Sequence, residues 1–447
     1  MGKIYLLPVL LVPLSAICQF GQPQFIDAAG SANSISQYIK TGDFDANGTK
    51  DIIVGNDITS KIRVYSNNGN LNFLVVGNVA DTWQSLKTMD MADFNGDGTP
   101  DIVVVEAGSQ QTISWHANIN GSYQQKTLIK SGLTFVLGRV LAHDFNGDGK
   151  ADIILLNHNN ILLFTNMGGG SFSAGENVIL PDDETEFYDL ILGDFNNDSF
   201  KDFAIATGGF EIYLNNGNAQ FTRVDGVNDT VTMLMGAGDF NNDGLDDITF
   251  KAVSMKGWKN SASPNFTASI ITSAGQGAKS YHCADLDGDN YDDILTQDNQ
   301  FGTVSWYKSN GDGTFAAKQD IYVNTGGVIP TAVYADDLDG DGDNEVIWTT
   351  GNGIVAVHNN NTVLSHSDKT TQKLSIYPNP AGEFLYISAG SSLQSVSVYN
   401  MLGQKVLSAS TQEINDGAIR VDGLQAGSYM VVANNGKAVT NLKFIKS

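Results

Sequence analysis

The sequence predicts an all-β protein, a seven-bladed β-propeller followed by a small C-terminal β-sandwich. An Asp-rich motif returns seven times, with successive first Asp residues 50, 51, 50, 45, 46 and 52 positions apart. That period suits one four-stranded blade. Composition agrees: 48 of 447 residues are Gly and only 17% are charged, which favours short strands joined by tight turns. No window sustains a 3.6-residue apolar period, so almost no helix is expected.

The chain opens on Met1-Gly2-Lys3 and an apolar run from Ile4 to Ile17, ending in Ser15-Ala16-Ile17-Cys18-Gln19. One early Lys, a short apolar core and small residues at its end read as a secretory signal peptide over residues 1–18. The run is too short for a membrane span, and no other stretch could serve as one. The rival reading is a lipoprotein box with Cys18 lipidated; Ile17 speaks against it, because a small residue is wanted there. Cys18 and Cys283 are the two cysteines. Once Cys18 is removed no intrachain disulfide can form, so an exported protein must gain rigidity elsewhere.

Residues 19–364 form the expected propeller. Each Asp-rich segment runs into an apolar stretch such as Ile52-Ile53-Val54. About twenty residues after each first Asp comes an alternating strand carrying Tyr65, Trp115, Phe164, Tyr213, Trp258 or Trp306, with Val357 in the seventh repeat. A turn such as Asn67-Asn68-Gly69 follows, then an aromatic opening the next strand: Phe73, Tyr123, Phe172, Phe221, Phe266 and Phe315. Phe25 matches that aromatic but precedes the first motif, and the seventh repeat lacks one. The N-terminal strand is therefore expected to complete the last blade, which hides sheet edges.

The motif reads D-x-[DN]-x-[DN]-G-x-x-[DE]. Oxygens at positions 1, 3, 5 and 9, with the backbone carbonyl of position 7, suit one hard cation, Ca²⁺. The seven sets begin with Asp43, Asp45, Asn47, Thr49 and Asp51; then Asp93, Asn95, Asp97, Thr99 and Asp101; then Asp144, Asn146, Asp148, Lys150 and Asp152. They continue with Asp194, Asn196, Asp198, Phe200 and Asp202, and with Asp239, Asn241, Asp243, Leu245 and Asp247. The last two are Asp285, Asp287, Asp289, Tyr291 and Asp293, and Asp337, Asp339, Asp341, Asp343 and Glu345. An EF-hand would carry Glu at position 12; here that position is apolar or Thr, and the acid at position 9 leads straight into a strand. Solvated Asx turns are the bland alternative, and seven copies in one phase weigh against it. Ser199 and Asn290 replace the motif Gly, so the fourth site is expected to be the weakest.

These loops, with the Asn-Gly turns and the Phe after them, resemble FG-GAP/VCBS repeats as in the integrin α-subunit propeller. The resemblance spans roughly residues 20–364. It implies calcium loops on one face and ligand handling on the other.

Residues 365–373 read as a polar linker. From 374 to 447 the chain shows Tyr377-Pro378-Asn379-Pro380, strands at Phe384–Ile387 and Val396–Tyr399, a turn at Met401–Lys405, Gly427-Ser428-Tyr429 leading into Met430–Val432, and a basic end. This resembles the type A C-terminal sorting domain of the type IX secretion system. It implies that secretion machinery as a partner, transport across the outer membrane, and release or surface anchoring.

The net charge of −24 makes nucleic acid and anionic membranes poor partners. The acids come in spaced clusters and not in blocks, which points to cation sites. Seven Ca²⁺ ions would bring the charge to about −10. No phosphate loop, nucleophile elbow or His-based metal spacing is present, and adjacent His282 and Cys283 point to opposite strand faces. No catalytic residue is expected. Candidates for ligand contact lie off the repeat pattern: Trp83, Asp183, Glu184, Glu186 and Tyr188. The expected role is a monomeric, non-enzymatic binding or adhesion module for a glycan or surface protein. A propeller enzyme, which should gather Arg, Lys, His or Tyr in its central pocket, and a structural surface-layer component are the alternatives.

Overall fold

A computed structural model describes all residues except 1–18, 28–35, 57–60, 82–84, 134–138, 159, 180–186, 229–233, 252–254, 262–264, 273–277, 299, 325–326, 352, 361–374, 378–379, 389–394, 401–404, 411–417, 435–438 and 447. The signal peptide, the linker, most of the 401–405 turn, Trp83, Asp183, Glu184 and Glu186 lie outside the described residues. Among the described residues every regular element is a strand. No helix there is long and apolar enough to cross a membrane. The chain divides into two compact units, Met1–Val363 and Leu364–Ser447.

The first unit is a β-propeller. Among its described residues are seven four-stranded antiparallel sheets. Their first strands are Ser36–Gly42, Ser85–Ala92, Val140–His143, Asp189–Gly193, Met235–Gly238, Ala278–Ala284 and Pro330–Asp336. Six sheets, blades 1 to 6, take their four strands from one continuous stretch. In the last sheet, blade 7, the N-terminal strand Gln24–Asp27 supplies the fourth strand, with Phe25 opposite Ala356, and closes the ring as expected.

Second strands such as Asp101–Ala107 and Asp152–Asn157 are buried almost throughout, because both faces of a blade pack on neighbouring blades. Apolar clusters therefore alternate around the ring between adjacent sheets. Val103, Val105 and Trp115 of blade 2, for example, pack with Ile153 and Leu155 of blade 3.

Register corrects one expectation. Counted from the loops, the aromatic position reads as one repeat column, but the side chains fall on two faces. Tyr65, Phe164, Tyr213 and Trp258 stand opposite the residue directly after the position-9 acid. In blades 2, 6 and 7 that place belongs to His116, Tyr307 and His358. Trp115, Trp306 and Val357 are one residue earlier and face the other way. The cause is hairpin length: blade 4 turns between Thr207 and Gly209, blade 2 between Glu106 and Thr112. Trp115 and Trp306 are nonetheless buried in blade packing.

In the second unit the strands Ser375–Tyr377, Phe384–Ser388 and Ala418–Arg420 form one sheet, and Ser395–Asn400, Lys405–Ser410, Gly427–Asn434 and Val439–Lys446 form another. Leu385, Ile387 and Ile419 of the first sheet share a core with Val396, Val398, Val431 and Phe444 of the second.

Candidate metal centres

Each Asp-rich loop joins the first strand of a blade to its second, so all seven gather at one end of the ring. The loops share one backbone plan. The position-1 carboxylate accepts the amide of position 6 in every loop, as in Gly98 N to Asp93 Oδ2 at 2.8 Å and Gly149 N to Asp144 Oδ2 at 2.7 Å. The position-5 side chain accepts the amide of position 7, closing an Asx turn, as in Thr99 N to Asp97 Oδ1 at 2.9 Å and Leu245 N to Asp243 Oδ1 at 3.0 Å. Position 6 needs the left-handed region. Gly fills it in five loops; Ser199 sits there at φ 72° and Asn290 at φ 67°.

The position-9 acid is fully buried in all seven loops. In the second loop Asp101 Oδ2 accepts Phe94 N at 2.9 Å and Oδ1 accepts Asn118 N at 2.7 Å, and the same pair of bonds recurs in the other six. Burial pushes these carboxyls up, while the two amides pull the other way and neighbouring carboxylates add to the rise. Asp51, Asp101 and Asp152 reach about 6, Asp202 and Asp247 about 7, and Asp293 and Glu345 about 8. A positive charge at each loop would hold them ionised.

The donor sets differ. Carboxylate oxygens of Asp43, Asp45 and Asp51 come within 4.8 Å of one another, as do those of Asp285, Asp287 and Asp289, and of Asp337, Asp339 and Glu345. These are the loops with Asp at position 3; Asn95, Asn146, Asn196 and Asn241 hold it in the others. All-oxygen sets of this kind fit a hard divalent cation. In the sixth loop Lys308 already contacts Asp287, and it contacts Asp289 at 2.7 Å.

The sequence reading missed a set of clamps. Asn67, Asn118, Asn166, Asn215, Asn260 and Asn360 each send Nδ2 to the backbone carbonyl of position 2 in the preceding blade's loop, at 2.7–2.9 Å. In blade 6, Ser309 Oγ takes the place of the amide and reaches Phe240 O at 2.6 Å. The clamp's own amide donates to the position-9 acid of its own blade, so the clamp ties two adjacent loops together. Position-2 rings reinforce the link: Phe44 packs on Tyr123 at 5.1 Å, Phe145 on Phe221 at 5.9 Å and Phe240 on Phe315 at 5.0 Å, each across a blade boundary. An Asn two or three residues before the turn glycine, as at Asn67, Asn118, Asn166 and Asn215, was the available signal.

At the axis a cavity of about 860 Å³ is lined by the first strands of all seven blades. It brings together Tyr38, Lys40, Arg139, Tyr188, His282 and Tyr334, the residue types that the enzyme reading asked for. The charged ones are committed to joining blades. Lys40 pairs with Asp90 at 2.6 Å, and Asp90 accepts Ala142 N at 2.9 Å. Arg139 pairs with Asp189 at 2.6 Å, and Asp189 accepts Met235 N at 2.9 Å. His282 Nε2 bonds Ala335 O at 3.0 Å in blade 7, while Cys283 packs beside Gly236 of blade 5, so the two side chains diverge. Tyr188, the described member of the off-pattern set, is half-buried beside Asp189 and bonds Ala206 O through its amide at 3.0 Å.

Two family models match the chain: an FG-GAP-like repeat over residues 43–104, 144–205 and 285–348, and a secretion system C-terminal sorting domain over residues 375–447. A comparison with curated proteins gives no match. Among solved structures, an Agrocybe aegerita lectin, described as recognising non-reducing terminal N-acetylglucosamine, superposes with a TM-score of 0.51 at 19% identity, covering 65% of this chain and 81% of that one. BBS1N in complex with ARL6DN superposes with a TM-score of 0.56 at 10% identity, covering 78% and 97%. At these identities the likeness shows the propeller fold. The chain thus carries FG-GAP-like repeats in a β-propeller and a type IX secretion sorting domain at its C-terminus, which makes it an exported protein of the cell surface or the extracellular space.

Proposed function

We propose that this protein is a calcium-stabilised, non-enzymatic binding module, delivered by its sorting domain to display a glycan- or protein-binding propeller outside the cell. The observation that carries the reading is the ring of seven buried position-9 acids, each pushed up further by neighbouring carboxylates of its own loop. Calcium would be held by positions 1, 3, 5 and 9 and the carbonyl of position 7, and it supplies the positive charge that these loops need. Extracellular calcium modules bind with Kd of roughly 0.1–1 mM, so at about 1 mM calcium each site contributes roughly 0.4–1.4 kcal/mol. Calcium therefore serves stability, and ligand contact falls to other surfaces.

Two features support binding over catalysis. The cavity's Lys, Arg and Asp side chains are paired across blades, which leaves them poorly placed for acid–base work. The fold is shared with a sugar-recognising lectin, which favours a glycan as the first ligand class to test. The test is a glycan array probed with the calcium-loaded mature protein and repeated in EGTA. Saturable binding to a defined glycan supports the module. Binding to none, together with turnover of a polysaccharide, would replace it with the enzyme reading.

A further inference from the structure

At the side-chain positions 1, 3, 5 and 9 the sixth loop carries as many acids as any, with Asp285, Asp287, Asp289 and Asp293. It also contains a cation of its own. In blades 1 and 6 the residue immediately before the clamp reaches position 3 of its own loop. In blade 1 this is Ser66, whose Oγ donates to Asp45 Oδ2 at 2.7 Å. In blade 6 it is Lys308, whose ammonium contacts Asp287 Oδ2 and lies 2.7 Å from Asp289 Oδ2. The side chain thus bridges positions 3 and 5, two of the groups a calcium ion needs there.

We infer that Lys308 takes the place of calcium in the sixth loop, so that this blade is locked by the chain's own ammonium while the other loops depend on the metal. The inference rests on the calcium reading of the loops and sets its limit for this one.

The physical case is a competition. Calcium needs six to eight oxygens around it. With Lys308 bridging Asp287 and Asp289, two of those oxygens face a positive charge, and an arriving ion would have to displace it. The folded blade holds the ammonium beside the loop, within 2.7 Å of Asp289 Oδ2, so its effective concentration is far above that of free calcium. The ammonium also answers the half-buried Asp287 and Asp289 carboxylates with charge-assisted hydrogen bonds. Asp287 Oδ1 is buried without a hydrogen-bond partner, an acceptor that the single ammonium leaves unused. Blade 5 offers a contrast. Lys259 holds the equivalent place before Asn260, yet its methylene chain runs beside Gly313 of blade 6.

The test counts calcium. Full-length mature protein is stripped with EGTA, dialysed, and titrated with Ca²⁺ alone by calorimetry, with bound metal measured by elemental analysis. Lys308→Ser recreates the blade 1 arrangement and is expected to bind one more calcium than wild type. Asp285→Asn in the wild-type background is expected to leave the count unchanged, whereas Asp43→Asn, at the same position 1 of a loop without the lysine, should lower it by one. Equal counts in wild type and K308S overturn the inference, with the calcium reading intact as long as D43N still loses one. Should K308S not fold, D285N decides: a loss of one calcium means the ion already occupies this loop. If wild type binds no calcium at all, the calcium reading itself fails and this inference falls with it.

Discussion

Asn166 offers the sharpest probe of how the loops are tied into a ring. Its side chain is buried and makes three hydrogen bonds: Nδ2 to Phe94 O at 2.9 Å in blade 2, Nδ2 to Ala151 O at 3.1 Å, and Oδ1 from Gly168 N at 2.9 Å. Asn166→Ala removes all three and strands the Phe94 carbonyl between blades. Each lost bond costs about 1 kcal/mol net, more where the abandoned group stays dry, so the whole change is about 3 kcal/mol. Unfolding entropy of roughly 2.1 cal/mol/K per residue gives about 0.7 kcal/mol/K for a unit the size of this propeller. The melting temperature should then fall by about 4 °C. The assay is a thermal melt in saturating calcium, which separates lost clamping from lost metal. A fall below about 1 °C would refute the claim that the clamp joins the blades.

Other outcomes follow from the same geometry. Ser199→Gly should stabilise the fold by about 1 kcal/mol in chemical denaturation, because Ser199 sits at φ 72° where Gly carries no Cβ penalty. Asp90→Ala should cost about 3 kcal/mol by the same measure, since it leaves Lys40 and Ala142 N without their partner, while replacing Lys40 and Asp90 together by Met and Leu should cost much less. Burial holds His282 down to about 4 from its usual 6.5. Its contribution is complete above pH 6.5 and is lost as pH falls towards 4; a ¹³C-histidine NMR titration should show the His282 imidazole still neutral at pH 5. Burial raises the Cys283 thiol well above its ordinary range, so thiol reagents should label it slowly until the protein unfolds.

Much of this architecture was legible because it is written in local spacing. The loop from Asp93 to Asp101 carries its carboxylate and amide oxygens within nine residues, and the pattern repeats in phase. Phe25 announced ring closure because it matched a repeat column from which the seventh blade was missing. What failed was information held across space. Asn118 looks like a turn residue in sequence; only the approach of Phe44 O from the neighbouring blade makes it a clamp. Trp115 and Tyr65 were placed in one column by counting from the loop, but unequal hairpins turn them to opposite faces. Lys40 and Asp90 stand in ordinary alternating strands, and nothing local pairs residues so far apart. Lys308 is likewise one more surface lysine until the third strand of its blade lays it against Asp287 and Asp289.

The central claim is that metal in the loops holds the propeller, and a thermal melt of the mature protein with about 1 mM calcium against excess EGTA tests it most directly. Six sites at roughly 0.4–1.4 kcal/mol each total ~2–8 kcal/mol, which at about 0.7 kcal/mol/K corresponds to a drop of about 3–12 °C on chelation. The account predicts that drop and its reversal when calcium is restored. An unchanged melting temperature would contradict it and would return the buried acids to consideration as groups serving some other end.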